Sequence, residues 1–440
     1  MQAWRTGWLG GSPASYRLTR FVFLRGLGLI YAVAFAILWQ QGPGLIGSHG
    51  LLPAQRLVAR VHHAGSFLDQ PSLFYWNASD PALHGLALLG LTLSLLVMAG
   101  LENAIAMLAL WVLYLSYCHI GQIFWGYGWE ILLLETGFLA VFLCPLRGLH
   151  PFANRFPPSP AVLWMLRWLL FRVMFGAGLI KLRGDPCWRD LTCLVHHYET
   201  QPVPSPASWW LHQAPLWFHR LGVAFNHFVE LIAPFGLFAP RRIRHVAAAA
   251  MIAFQLILIA SGNLSFLNWL TLVVCVSCLD DALLSRVLPL RVRSAVERLA
   301  ALAPKSQSRA QVISVAILAS VVGVLSIGPV LNMLSPRQAM NQSFDPLHLV
   351  NTYGAFGSVG RVRNEIVLQG TREPAVETAV DWREYELPCK PGDVRRRPCL
   401  ITPYHYRLDW QMWFAAMSEP ESEPWFVHLV YKLLTGERDV

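Results

Sequence analysis

The stretch Leu163 to Lys181 reads LWMLRWLLFRVMFGAGLIK, nineteen residues that are apolar apart from Arg167, Arg172 and the terminal Lys181. At 1.5 Å per residue such a helix measures roughly 28 Å, close to the hydrocarbon thickness of a bilayer. An arginine at that depth costs roughly 2.5 to 3.5 kcal/mol even on the lenient insertion scale, so it comes with a partner or a purpose. This one stretch therefore predicts a membrane protein with a polar interior.

Working outward, apolar runs predict further spans, giving nine in all: 21–39, 82–99, 104–120, 129–146, 162–181, 221–239, 246–262, 266–283 and 312–331. Hydrophobic residues make up 55% of the chain against 14% charged, which places it among membrane proteins. The net charge of +9 is no nucleic-acid signature, because the excess sits in short loops between apolar runs. Membrane lipid is the expected surrounding, and no nucleic-acid partner is expected. Met1 to Arg20 lacks an apolar core, so no cleavable signal peptide is expected and the first span stays as an anchor. The excess of 31 Arg over 4 Lys suggests a GC-rich, bacterial source.

Orientation follows from counting cations. With the N-terminus in the cytoplasm, the inner segments hold fourteen: Arg5, Arg17 and Arg20, then Arg147 and Arg155, then Arg241, Arg242 and Arg244, and finally Arg286, Arg291, Arg293, Arg298, Lys305 and Arg309. The outer loops hold six, Arg56, Arg60, Lys181, Arg183, Arg189 and Arg220. Positive charge stays inside, so nine spans put the C-terminus outside; eight or ten would put it inside. This predicts a transmembrane bundle over 1–331, with outer loops 40–81 and 182–220, and a soluble extracytoplasmic domain over 332–440. Within that domain 364–371, 382–388 and 398–406 alternate like strands, while 408–417 and 424–434 read as amphipathic helices, together a small α+β unit. Trp410, Trp413, Trp425 and Phe426 are candidates for a client-binding patch, with core packing as the alternative.

Four cysteines, Cys187, Cys193, Cys389 and Cys399, fall in the segments placed outside, where disulfides persist. Pairing Cys187 with Cys193 and Cys389 with Cys399 closes short loops, each worth about 2 to 3 kcal/mol by loop entropy. Free thiols are the alternative, as is zinc held by Cys187, Cys193, His196 and His197, although that spacing matches no standard site and no metal is expected. Cys275 and Cys278 form a CxxC inside a span and read as buried structural thiols. Gly354, Gly357 and Gly360 lack phosphate-loop spacing and read as a flexible turn region.

Depth along the spans brings Arg172 and Glu230 to the midplane on consecutive antiparallel helices, where they are expected to pair. Glu135 and His227 come nearer the outside, and Glu130 and Lys181 lie at the outer boundary. Such charges either tie helices together or line a polar cavity that opens outward, with Glu135, Lys181 and His227 as candidate acid and base.

Six segments carry a family likeness: RLTRFVFLRGLGLIYAVAF (17–35), GWEILLLETGFLAVFLCP (128–145), FGAGLIKLRGDPCWRDLTC (175–193), FNHFVELIAPF (225–235), SGNLSFLNWLT (261–271) and PYHYRLDWQMWFAAM (403–417). They resemble the lipase maturation factor family, from about residue 12 to the C-terminus. The resemblance implies a polytopic membrane protein that helps secreted lipases reach an active fold, with the client met by the C-terminal region. It places animal members in the endoplasmic reticulum membrane and brings no catalytic residue or cofactor. A bacterial member would sit in the inner membrane with its C-terminus in the periplasm, and a eukaryotic one would have its C-terminus in the lumen. The bundle is also similar in kind to the membrane domain of vitamin K-dependent carboxylases, a likeness of fold alone. Two functions follow: a non-enzymatic maturation factor for exported proteins, or an intramembrane enzyme acting on a lipid, a quinone or an exported side chain.

Overall fold

Each of the nine apolar runs forms helix in the computed structural model, which describes residues 15–146, 157–301, 309–372 and 381–437. In chain order the helices used below are α1 (Arg17–Ile46), α2 (Ala54–Ala64), α3 (Asp80–Ala99), α4 (Ala104–Ile120), α5 (Gly128–Val141) and α6 (Pro160–Arg183). There follow the short α7 (Leu194–Thr200) and α8 (Pro206–His212), then α9 (Leu216–His227), α10 (Arg241–Ser261) and α11 (Leu267–Cys275). The chain closes with α12 (Arg309–Leu325), α13 (Ile327–Leu334), α14 (Arg407–Ala415) and α15 (Pro424–Thr435). The inner cations Arg5, Arg147, Arg155 and Lys305 lie outside the described residues.

Local chemistry sets the breaks. The Asn103 side chain caps α4 by accepting from Ile105 and Ala106 N–H. Past α9 the helix continues as a π turn, Phe228–Ile232, and then a 3₁₀ stretch, Ala233–Phe238. Pro234 has no N–H to give the carbonyl four residues back, that of Glu230, so the regular α ladder cannot run through this point.

Among the described residues six helical stretches are long and apolar enough to cross a membrane: α1, α3, α6, Leu216–Phe238, α10 and Arg309–Leu334. The chain is an integral membrane protein. α4 and Leu267–Cys278 are apolar but shorter, and α5 has 14 residues. The run of α5 from Trp129 to Gly137 is buried on every face, so its apolar sequence reflects protein neighbours as much as lipid.

The helix ends gather charges at one end of the bundle. There Glu102, between α3 and α4, lies 3.4 Å from Arg20 and 2.9 Å from Arg25. Arg167 donates to the Ser277 carbonyl (3.0 Å) and Arg244 to that of Cys278 (3.0 Å), covering carbonyls that a helix C-terminus leaves unpaired. Arg167 thus has its partner in a helix end.

Of the α+β unit expected over 332–440, the helices at 408–417 and 424–434 form, as α14 and α15, and the strands are short. Among the described residues only Gln369–Gly370 and Arg383–Glu384 pair, as a two-residue antiparallel ribbon. The rest of the described segment lies along the other end of the bundle and shares its core, in which Tyr353, Trp410, Met412, Trp425 and Leu429 are buried. The alternation at 398–406 arises because one face of an extended chain meets the bundle: the Asn263 side chain accepts from Ile401 N–H (3.0 Å) and Thr402 N–H (3.2 Å) and donates to the Cys399 carbonyl (2.8 Å). Gly176 of α6 and Gly184 just after it let the backbone at 353–357 approach; a methyl at Gly176 would press on the Tyr353 carbonyl, one at Gly184 on that of Gly357. The glycine-bearing stretch read as a flexible turn is therefore packed against α6.

Candidate functional site

The Arg172–Glu230 pair is a wrong pairing. The Arg172 guanidinium grips both oxygens of Glu135, Nη1 reaching Oε2 at 3.3 Å and Nη2 binding Oε1, with each side chain 1% exposed. Nη1 also donates to the Asn351 carbonyl at 2.6 Å. Glu135 Oε2 in turn accepts from Asn351 N–H (3.0 Å) and the Tyr353 hydroxyl (2.8 Å). The bidentate pair is thus completed by the C-terminal segment, which no reading of helix depth foresees.

Glu230 belongs to Lys181, whose Nζ lies 2.6 and 2.7 Å from its two oxygens. Asn226, one turn earlier, donates to Glu230 (2.8 Å) and accepts from Lys181 (3.1 Å). Glu230 packs at the level of Gly178 on α6, and Arg172 lies six residues, about 9 Å, deeper. Equal residue counts from the predicted ends did not give equal depth: the helix that carries Glu230 begins at Leu216, not 221, and α6 runs on to Arg183.

Lys181, Asn226 and Glu230 line a cavity of about 1010 Å³ between α6, α9, α10, α11 and the C-terminal segment. Trp188 stands 5.0 Å from the Lys181 ammonium, a cation–π distance. Gln255 and Asn268 bond across the wall at 2.7 Å. His197 faces the same space; burial first, and then Lys181, push its imidazole down to about 4, so it is neutral at pH 7. His227 and Glu135 are not among the lining residues, and His227 holds the Trp188 carbonyl at 2.9 Å. The three candidate acid–base residues do not converge. Asn226 was legible as the residue one turn before Glu230; the Gln255–Asn268 pair had no comparable signal.

A third buried ion pair docks the C-terminal segment. Arg407 lies 2.7 Å from Glu130, both 0% exposed, with its guanidinium 4.0 Å from the Trp125 ring centroid. Tyr114 bonds the other Glu130 oxygen. Trp410, Trp425 and Phe426 are buried in the contact, so of the four proposed client residues only Trp413 is partly accessible. Aromatic content on an amphipathic helix marks a docking face as readily as a client patch, and Trp410, Trp425 and Phe426 lie on the face turned to the bundle. Cys187 is joined to Cys193 and Cys389 to Cys399, with Cα atoms 4.7 and 5.7 Å apart, while Cys118, Cys144, Cys275 and Cys278 are free.

The profile of the lipase maturation factor transmembrane domain matches residues 18–286, and that of the lipase maturation factor C-terminal domain matches 349–440. The chain belongs to the lipase maturation factor family. It is 49% identical to lipase maturation factor 1 of Bos taurus over 98% of this chain and 81% of the relative, and 46% identical to that of Homo sapiens over 98% and 80%. Lipase maturation factor 2 of Xenopus tropicalis is 33% identical, covering 96% of this chain and 74% of that protein. No solved structure matches the chain. These lipase maturation factors are animal proteins, and they lend no support to the expected bacterial source. Within the family-like segments lie Glu130, Glu135, Lys181, Glu230, Asn263 and Arg407, the residues that hold the cavity wall and dock the C-terminal segment.

Proposed function

We propose that this chain is an integral-membrane maturation factor that helps exported proteins, lipases by the name its relatives carry, reach their active fold. The observation that carries the reading is the likeness to lipase maturation factor 1, which runs through 98% of the chain and so takes in both the bundle and the docked C-terminal segment. The enzyme alternative needs acid and base in one place, and of its three residues Lys181 alone lines the cavity.

We place the N-terminus in the cytoplasm, with nine crossings and the C-terminal segment outside. The cation asymmetry supports this, and so does the docking: the segment touches Gln41 at the end of α1, the Phe124 carbonyl between α4 and α5, Asp185 after α6 and Asn263 between α10 and α11. All four are points that the charge count puts on the outer side, and Glu102, with Arg20 and Arg25, is on the inner. In place of the buried aromatics, the surface offered to a client is the exposed stripe Val427, Tyr431 and Leu434 of α15, one face at helical spacing.

The test is complementation. Cells lacking their own lipase maturation factor 1 should regain specific activity of a secreted lipase when this chain is expressed, without a matching rise in lipase synthesis. Unchanged specific activity, with the chain folded and in the membrane, would contradict the reading.

A further inference from the structure

We propose that the cavity is a binding site for an anionic glycerophospholipid, drawn sideways from the leaflet at the C-terminal end of α6. At about 1010 Å³ it lies at the upper end of the range of roughly 300 to 1,000 Å³ typical of small-molecule sites. Three of its walls are membrane helices, and two lining residues, Leu221 of α9 and Ile257 of α10, are 61% and 51% exposed. The wall therefore reaches the surface that the bilayer covers, and an acyl chain can pass from lipid to cavity without crossing water.

Charge chooses the headgroup. The lining holds the cations Lys181, Arg183 and Arg337, and Glu230 as its one carboxylate. Lys181 and Glu230 neutralise each other, which leaves two arginines. Both are exposed, at the end of α6 and just past α13, and the Arg183 side chain bonds Gln338, next in sequence to Arg337, at 2.8 Å. Two guanidinium groups at one cavity suit a headgroup of net negative charge better than a zwitterionic one, whose own cation already balances the phosphodiester. Height is fixed independently by Trp209, Trp210 and Trp217, all exposed, on the same helices whose Leu211 and Phe218 line the cavity. Exposed tryptophans of this kind sit at the headgroup level, so the arginines meet phosphate while the chains enter the apolar interior. The site stands apart from the maturation reading, because its occupancy is measured without a client.

The experiment uses the full chain in phosphatidylcholine nanodiscs doped with phosphatidylserine bearing a photoreactive diazirine in one acyl chain, with labelled peptides mapped by mass spectrometry. Label is expected on cavity-facing residues of α9 and α10, and it should fall several-fold with Ile257→Trp, which plugs the mouth, and with the double change Arg183→Gln and Arg337→Gln. A phosphatidylcholine probe of the same chain should label less and ignore the arginine changes. Leu95→Trp, on the exposed face of α3 away from the cavity, should leave labelling as it was. All four altered positions are exposed, and size-exclusion profiles check that each variant is folded. Equal labelling by both headgroups, or labelling untouched by the arginine changes, would overturn the anionic site. Label confined to residues outside the cavity would overturn the cavity as its location.

Discussion

At the scale of single residues, Arg172 carries the sharpest prediction. Its charge is answered by Glu135, and both are sealed from water. Arg172→Met leaves that carboxylate buried without a cation, which should cost about 3 to 5 kcal/mol. Adding Glu135→Gln removes the stranded charge while an amide oxygen still accepts from Tyr353 and Asn351, so the double variant should recover much of the loss. Adding Glu230→Leu instead should make matters worse, since it strands Lys181. Thermal unfolding of purified protein measures all three, and recovery with Glu230→Leu but not with Glu135→Gln would refute the pairing. The sequence announced that Arg172 and Lys181 need partners, because a charge in an apolar run is costly wherever it lies. It did not name them. The choice between Glu135 and Glu230 turns on where the helices sit against one another and on Asn351 and Tyr353, some 180 residues downstream of Arg172.

At the scale of elements, the helices were legible, though α1 runs to Ile46 rather than 39 and several other ends lie five residues off, because lipid and a dry core impose the same apolar requirement. The strands were legible in part: 364–371 and 382–388 hold the paired Gln369–Gly370 and Arg383–Glu384, whereas 398–406 stays unpaired, because an extended chain with one face on the bundle alternates just as a sheet strand does. That docking has a pH dependence. Burial lowers His348 to about 4, and burial with Arg407 nearby holds His405 well below the usual imidazole value; His197 at the cavity is likewise at about 4. Unfolded, these groups take up a proton near pH 6.5, whereas folded they do so only at lower pH. The unfolded state thus binds more protons below pH 6.5, and stability falls as pH drops through that window. Burial raises the Asp409 carboxyl, which works the other way, but the three histidines outnumber it. The unfolding midpoint should therefore be lower at about pH 5.5 than at about pH 7.5, and an equal or higher one would count against neutral buried imidazoles.

At the scale of the whole molecule, the bundle and the C-terminal segment act as one body, joined where Asn351 and Tyr353 bond the Arg172–Glu135 pair and by the buried pair Arg407–Glu130. A client that is exported can meet this body only if the docked segment faces away from the cytoplasm. The same side is required for the disulfides Cys187–Cys193 and Cys389–Cys399 to persist. The decisive measurement is a topology reporter fused after Val440, with a second fused after Pro304. The account predicts an extracytoplasmic signal from the first and a cytoplasmic one from the second; a cytoplasmic signal after Val440 would contradict the nine-crossing arrangement and remove the exported client with it.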